Sequence, residues 1–190
     1  MSALNELKQQ GKIRAIGVSN FSRAQLEEAA QYGRIDSLQP PYSLFWRWVE
    51  RDAMPYCIEN NISILAYSPL AQGLLTGKFG RGHKFDPADN RAMNKLFFGS
   101  NYERAQQALE KLRPIAERHH TSLGNLAIAW LIAQPQTQAI VGARNAEQAV
   151  QNAKAAEIQL STSELEEIDA IGRIVTDRLD DNPVMWEFNS

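Results

Sequence analysis

Apolar positions along this chain switch between helical and strand spacing, and the switches lay out its elements. Ala3, Leu4 and Leu7 recur at helical spacing through Lys8-Gln9-Gln10, and Gly11 stands where a helix stops. Ile13 to Val18 follows as a strand. Ser22-Arg23-Ala24-Gln25 has the spacing of a capping box and predicts a helix through Ala30. Ile35 to Gln39 is a short strand closed by Pro40-Pro41, because a proline pair cannot keep donating to a parallel ladder. Tyr42 to Trp48 reads as loop or a single turn. Glu50 to Asn60 reads as a helix with Met54, Cys57 and Ile58 on one face and Pro55 in its first turn. Ile62, Ile64, Leu65 and Ala66 then form an apolar run of buried-strand length.

Beyond that run, Phe79 to Ser100 is rich in Gly, Asp, Asn, Arg and Lys with little periodicity, which predicts a long mobile excursion over a site, partly disordered. Asn101 to His119 carries Leu109, Leu112 and Ile115 at helical spacing, with Pro114 expected to kink or split it. Ser122 to Ala133 is a strongly apolar second helix. Ala139-Ile140-Val141 is the last strand. Asn145 with Gln148 opens one more helix, a capping box in all but hydroxyl, and Ser161 with Glu164 opens another that runs to Ile171. The polar tail from Arg173 to Ser190, with its late Trp186 and Phe188, packs as a flap or hangs free.

Composition narrows the function classes. At 190 residues, 44% hydrophobic and 22% charged, the chain can bury one sizeable core, so one domain is the expectation. Its net charge of -2, with both signs interspersed, gives no basic face for nucleic acid and no polybasic membrane patch. A single cysteine, Cys57, excludes an internal disulfide and a cysteine metal cage, and reads as a small buried residue. No run has the length of a signal peptide core or a spanning helix, so the expectation is a soluble, cytoplasmic protein.

The stretch Tyr67-Ser68-Pro69-Leu70-Ala71-Gln72-Gly73-Leu74-Leu75-Thr76-Gly77-Lys78 is the organising feature. Pro69 ends ladder pairing, Gly73 and Gly77 let backbone approach a ligand, and Lys78 places a point charge beyond them, which suits a pyrophosphate. On chemistry alone, an ordinary strand-to-helix connection carrying two glycines reads as well. The wording, however, resembles the seventh-strand loop of the aldo-keto reductase family. Gly11-Lys12-Ile13-Arg14-Ala15-Ile16-Gly17-Val18-Ser19-Asn20-Phe21 and Ile140-Val141-Gly142-Ala143-Arg144 resemble other segments of that family in the right order. The resemblance covers only the second half of the family's barrel.

It implies an α/β fold of the (βα)8 TIM-barrel family, here the C-terminal four βα units plus extra C-terminal helices. The domain would be 1–190, with units and helices to 172 and the tail 173–190. Four strands fit, since a full barrel takes ~250 residues. A helix followed at once by a strand is half of a crossover whose first strand is absent. Two open edges and a helix-facing apolar layer with nothing opposite predict aggregation, self-pairing or a missing partner chain.

Ligands of such barrels sit where strands exit. Asn20 and Gln39 each donate and accept, as a carboxamide requires, and Tyr67 presents a ring for stacking. Lys78 and the amides after Ser68 suit a pyrophosphate. Arg144, beside a helix N-terminus capped by Asn145, suits a phosphomonoester and favours NADP over NAD. The resemblance implies nicotinamide contacts at Ser19, Asn20, Gln39 and Tyr67. It implies adenine-side contacts at Ser68, Pro69, Leu70, Lys78, Gly142, Arg144, Gln148 and Asn152, with Arg91 a weaker match. Gln148 and Asn152 also read as a solvated helix face, and Ser19 as a cap.

No catalytic residue is assigned. The family's Asp, Tyr, Lys and His set lies on its first four βα units, outside the matching segments. Tyr42 with Arg47 or Lys78 defines no donor geometry, and His83, His119 and His120 lack metal-ligand spacing and read as surface histidines. Trp46 and Trp48 line a substrate mouth or cover the open edge. The preferred reading is the NADP(H)-binding half of a carbonyl reductase, silent alone, which either pairs with an N-terminal half or is a truncated version of a longer protein, and takes a small carbonyl substrate only when completed. The alternative is a non-catalytic half-barrel, a self-dimer acting as sensor or scaffold.

Overall fold

In the computed structural model, which describes residues 1–86, 88–180, 182, 184 and 185, the helix stop expected at Gly11 lies two residues past α1 (Ser2–Gln9), with Gly11 at φ 70°. Four parallel strands follow in sequence order, β1 (Gly17–Ser19), β2 (Ser37–Gln39), β3 (Ser63–Ala66) and β4 (Thr137–Ala139). Between them run α2 (Arg23–Ala30), α3 (Ala53–Glu59), and the pair α4 (Gly99–Arg118) and α5 (Leu123–Ile132). After β4 come α6 (Ala146–Ala153) and α7 (Thr162–Thr176). This is the βα rhythm expected of part of a (βα)8 barrel. The capping boxes at Ser22 with Gln25 and at Ser161 with Glu164 both form.

The strands are shorter than their apolar runs, for reasons that hydrogen bonds supply. Ile16 sends its N–H to the Asp36 carboxylate at 2.8 Å instead of to a ladder partner, so β1 starts at Gly17 and not Ile13. At the far edge, Ile140 N–H makes the last bond to Ala66 O at 2.8 Å. Tyr67, next along β3, turns to the other neighbour, donating to Pro40 O at 3.0 Å and accepting from Tyr42 N–H at 3.1 Å. Val141 is left without a partner strand, and β4 is shifted to Thr137–Ala139. The same bridge shows how the proline pair is used: β2 ends at Gln39 as expected, yet Pro40 still accepts.

The two faces of the sheet differ in kind. Register rows place Leu38 beside Ile64, and Ile64 beside Thr137, all buried against the helices. The opposite rows are Gly17, Ser37 and Ser63, then Ser19, Gln39, Leu65 and Gln138, half-buried or exposed. The helix-facing apolar layer is therefore covered, contrary to the expectation of an apolar layer with nothing opposite. The uncovered face is small and polar apart from Leu65. A Cβ at Gly17 would meet Ser37 Oγ at 2.4 Å, so a larger residue there would require the Ser37 hydroxyl to rotate away.

The core is built on two elements that periodicity alone describes poorly. In α5 every residue from Leu123 to Leu131 is buried. The segment 42–48, expected as loop or a single turn, is buried from Tyr42 to Arg47 and turns through a Ser43–Trp46 bridge, with Trp46 1% exposed. Its Arg47 is paired with Glu50 and Asp169 and lies 5.0 Å from the Trp130 ring, which Tyr42 meets edge-on. At Gly172 a Cβ would meet Leu44 O at 2.9 Å, so α7 closes directly on this segment. A short turn at Trp48–Glu50 delays α3 to Ala53, and Ile58 points outward, 40% exposed, while Met54 and Cys57 face the core.

Two further expectations are corrected. The described residues of 79–100 are packed only in part: Phe79 and 94–97 are buried, Phe79, His83, Phe85 and Phe97 join Tyr102 in a ring cluster, and Tyr102 OH donates to Gly80 O at 2.9 Å, while most of 80–93 and all of 98–100 are exposed. These aromatics have no periodic spacing, so their convergence is invisible along the chain. Pro114 does not split α4, which runs 20 residues through it. Pro114 and Glu110, whose carbonyl loses its donor, are both on the solvent side. His119 is half-buried against Glu164 at 2.8 Å. The tail begins later than expected, since α7 continues to Thr176, and Trp186 and Phe188 lie outside the described residues.

α1 buries no residue of its own, so polar ties hold it. Asn5 donates to Tyr32 O at 2.6 Å, and Lys8 meets Asp36 at 2.7 Å. Asp36 is held at about 2 by the Lys8 hydrogen bond first, then the Ile16 N–H, with Arg34 adding to both. Its folded pKa lies below its ordinary 3.8, so its stabilisation is full above that value and is lost as pH falls toward about 2. Asp36→Asn is expected to lower the melting temperature at neutral pH and to flatten the acid limb, read by thermal melts from pH 7 to 2; an acid limb identical to that of wild type would exclude this role.

Candidate functional site

The C-terminal edge of the sheet carries two adjoining groups of side chains. In the first, Ser19 Oγ donates to Gln39 O at 2.9 Å, Asn20 N–H donates to the same carbonyl at 3.1 Å, and Tyr67 OH donates to Asn20 Oδ1 at 3.1 Å. Asn20 takes φ 58°, a left-handed turn that Asn tolerates, and this brings its amide back toward Tyr67. Ser19, Asn20, Gln39 and Tyr67 thus form one hydrogen-bonded row over three strand ends. Burial pushes the Tyr67 phenol up, and its bond to Asn20 opposes that.

The second group lines a cleft of about 720 Å³. Ser68, Pro69, Leu70 and Lys78 come from the β3 exit, Gly142 and Arg144 from the β4 exit, Gln148 and Asn152 from α6, and Arg91 from the segment 79–100. All nine residues assigned from sequence to the adenine side meet there. The cleft also takes in Gln72, Thr76, Ile140, Val141 and Ala143, which were not anticipated. Ala71, Gln72 and Gly73 all have positive φ, 47°, 54° and 92°, and two of them are not glycine, so sequence gave no sign of the turn. It leaves Gln72 Oε1 buried without a partner beside the cleft. Gly77 is corrected: it does not line the cleft, and a Cβ there would meet Leu123 of α5 at 2.7 Å, so it serves packing and a φ of 70°.

Charge in the cleft is one-sided. Lys78, Arg91 and Arg144 line it and no carboxylate does. Lys78 Nζ lies 4.8 Å from the Phe79 ring, and the Arg91 guanidinium 5.1 Å from the same ring and 4.7 Å from Phe85. Asp89 pairs with Arg91 from beside the cleft, and that pairing holds its carboxyl at about 2. Neither Lys78 nor Arg144 is in an ion pair among the described residues. The β4 exit is braced from α6. Asn145 accepts from Gln148 N–H at 2.8 Å, Gln148 Oε1 accepts from Arg144 N–H at 2.8 Å, and Asn152 donates to Gly142 O at 3.2 Å. The Gln148 side chain therefore reaches one residue further back than a capping box would take it.

Other candidates are not placed for chemistry. Tyr42 is buried and its OH donates to Glu50 at 2.7 Å, and burial raises its pKa far above the ordinary value. Burial pushes the Cys57 thiol up to about 11. No group of three His, Cys, Asp or Glu among the described residues is arranged to hold a metal ion, and none of their helices is long and apolar enough to cross a membrane.

A sheet of this order with its site at the strand exits is the architecture of an α/β barrel protein. The chain belongs to the aldo/keto reductase family, whose model matches residues 1–173. It is 38% identical over 165 residues to the NADH-specific methylglyoxal reductase of Escherichia coli (strain K12), covering 86% of this chain and 50% of that protein. To the aldo-keto reductase yakc [NADP(+)] of Schizosaccharomyces pombe it is 32% identical over 172 residues, covering 88% and 51%. The glycerol dehydrogenase of Gluconobacter oxydans superposes with a TM-score of 0.82 at 35% identity, covering 98% of this chain and 56% of that one. The chain thus spans about half the length of the curated relatives it matches.

The bracing of the β4 exit is open to direct test. Gln148→Ala is expected to speed amide exchange at Arg144 by about tenfold, the loss of one ordinary hydrogen bond, with β3 unaffected. Exchange at Arg144 unchanged in that variant would show that the loop stands without Gln148.

Proposed function

We propose that this chain is the cofactor-holding half of an NADP(H)-linked reductase of small aldehydes or ketones. One observation carries the reading: a cleft at adjoining strand exits that gathers Lys78, Arg91 and Arg144 and no acid. Such a cleft favours a polyanion with a pyrophosphate and a further phosphate. Lys78 and the amides after Ser68 would face the pyrophosphate. Arg144, at the N-terminal end of α6, would take the 2′-phosphate, which supports NADP over NAD although the relatives named above include one for each coenzyme.

The row Ser19, Asn20, Gln39 and Tyr67 would orient the nicotinamide. Asn20 and Gln39 offer donors and acceptors for its carboxamide, and Tyr67 a face for its ring. The bound nicotinamide supplies the hydride. Tyr67 holds its proton on Asn20 and is not proposed as the acid. That role falls to the family's Asp, Tyr, Lys and His set on the preceding four βα units, so this chain alone is expected to bind without turnover. The buried, unpaired Cys57 agrees with a reducing, cytoplasmic setting.

An N-terminal half is the proposed partner, in preference to a second copy. Self-closure would set the row Gly17, Ser37 and Ser63 against itself and leave the barrel interior unfilled, whereas barrel interiors are packed with branched side chains. That weighs against the dimeric sensor or scaffold.

Titration with NADPH and NADH, followed by tryptophan quenching, tests the reading. NADPH is expected to bind more tightly, and Arg144→Ala to weaken NADPH by roughly 10- to 100-fold, the worth of a charge-assisted contact, while changing NADH about twofold at most. Equal affinity for the two coenzymes, unchanged in Arg144→Ala, would remove the 2′-phosphate assignment.

A further inference from the structure

Two of the three cations that line the cleft converge on one ring. Lys78 Nζ lies 4.8 Å and Arg91 Cζ 5.1 Å from the centroid of Phe79, both within the range of cation–π attraction. The Lys78 side chain reaches that ring across Gly73, where a Cβ would meet Lys78 Cε at 3.3 Å and Nζ at 3.4 Å. Arg91 also lies 4.7 Å from the ring of Phe85, which meets Phe79 edge-on. The Phe79 ring itself is fixed from α4. Buried Gln106 donates to Phe79 O at 3.0 Å, Tyr102 OH donates to Gly80 O at 2.9 Å, and Phe97 packs edge-on against the ring. Phe79 is 7% exposed and does not line the cleft, so it acts there only through the side chains it carries.

We propose that Phe79 is a positioning residue for the cleft: anchored on α4, its ring holds the Lys78 ammonium and the Arg91 guanidinium in place so that both meet the same polyanion. A carboxylate would hold either cation as well, but would cancel its charge. A ring carries no formal charge, so the cation it holds keeps its attraction for a phosphate. Asp89 engages Arg91 through Nε and Nη2 alone, and Nη1 stays outside that fork. Long side chains that are placed before a ligand arrives need not be ordered when it binds, which is where the ring contributes to affinity. The choice of a dinucleotide as the polyanion rests on the NADP(H) reading above, while the hold of Phe79 on the two cations does not.

The test uses the full chain. In the ligand-free wild type, the Phe79 ring current is expected to move the Lys78 Hε resonances upfield of those of the exposed Lys84. Phe79→Leu keeps an apolar side chain, removes the ring and is expected to abolish that shift. With NADPH as probe, Phe79→Leu is expected to weaken binding about 3- to 10-fold, the cost of ordering one long side chain afresh. In a chain that already carries Lys78→Gln and Arg91→Gln, the same substitution is expected to cost about twofold at most, because no cation is left to hold. An equal loss in both backgrounds would show that Phe79 only supports the fold and would overturn the proposal, as would NADPH affinity unchanged by Phe79→Leu. So would an unshifted Lys78 resonance in the wild type, a measurement that needs no variant to fold. A wild-type chain that shows the shift and binds no NADPH would instead overturn the dinucleotide reading. The same cycle with inorganic pyrophosphate then decides the positioning, and a chain that leaves pyrophosphate unbound overturns it too.

Discussion

The site depends on a single parallel bridge, the one between Tyr67 and the proline pair. Tyr67 N–H on Pro40 O and Tyr42 N–H on Tyr67 O carry the ladder one step past β2, although neither proline can donate. The bridge fixes Tyr67 beside the left-handed Asn20 on one side. On the other side β3 meets β4 last through Ala66, whose carbonyl accepts from Ile140 N–H, and the β4 exit opens beyond that bond. Ser68 then departs at φ 53°, and the chain turns into the wall of the cleft. A strand that kept its partners to the end would have neither the row at Asn20 nor an open mouth beside β4.

Around that bridge the stabilising interactions divide by location. Beneath the site, α5 and the segment 41–47 supply dispersion and apolar burial, with Arg47 held among Glu50, Asp169 and the Trp130 face. At the opposite end of the strands, Asp36 ties α1, β1 and β2 through charge. The site itself is assembled from side-chain to backbone bonds, Gln148 to Arg144 and Asn152 to Gly142, on elements already fixed from below. This arrangement lets polar groups stay available at the strand exits while the scaffold carries the rigidity.

Much of this was legible in the chain. Capping boxes are local and state their own geometry, so Ser22 and Ser161 gave helix starts to the residue. The nine adenine-side residues were implied by the family resemblance, and they do converge in one cleft. What escaped was set by contacts far apart in sequence. The aromatic cluster of Phe79, Phe85 and Phe97 has no period, so its convergence could not be read along the segment. The β1 start was moved by the Asp36 carboxylate, twenty residues away. Gln72 takes a conformation its residue type does not advertise, and Gly77, which looked like room for a ligand, is room for Leu123.

The uncovered face of the sheet has a thermodynamic consequence. Gly17, Ser37, Ser63, Ser19, Gln39 and Gln138 present hydroxyls, amides and backbone, with Leu65 the one large apolar side chain among them. Apolar and polar surfaces shift heat capacity in opposite directions when they leave water. Covering this face therefore removes little net heat capacity, unlike the burial of α5, whose surface is almost wholly apolar. The two layers on either side of one sheet thus differ calorimetrically: one forms with the large negative heat-capacity change of a hydrophobic core, and covering the other would add little to it.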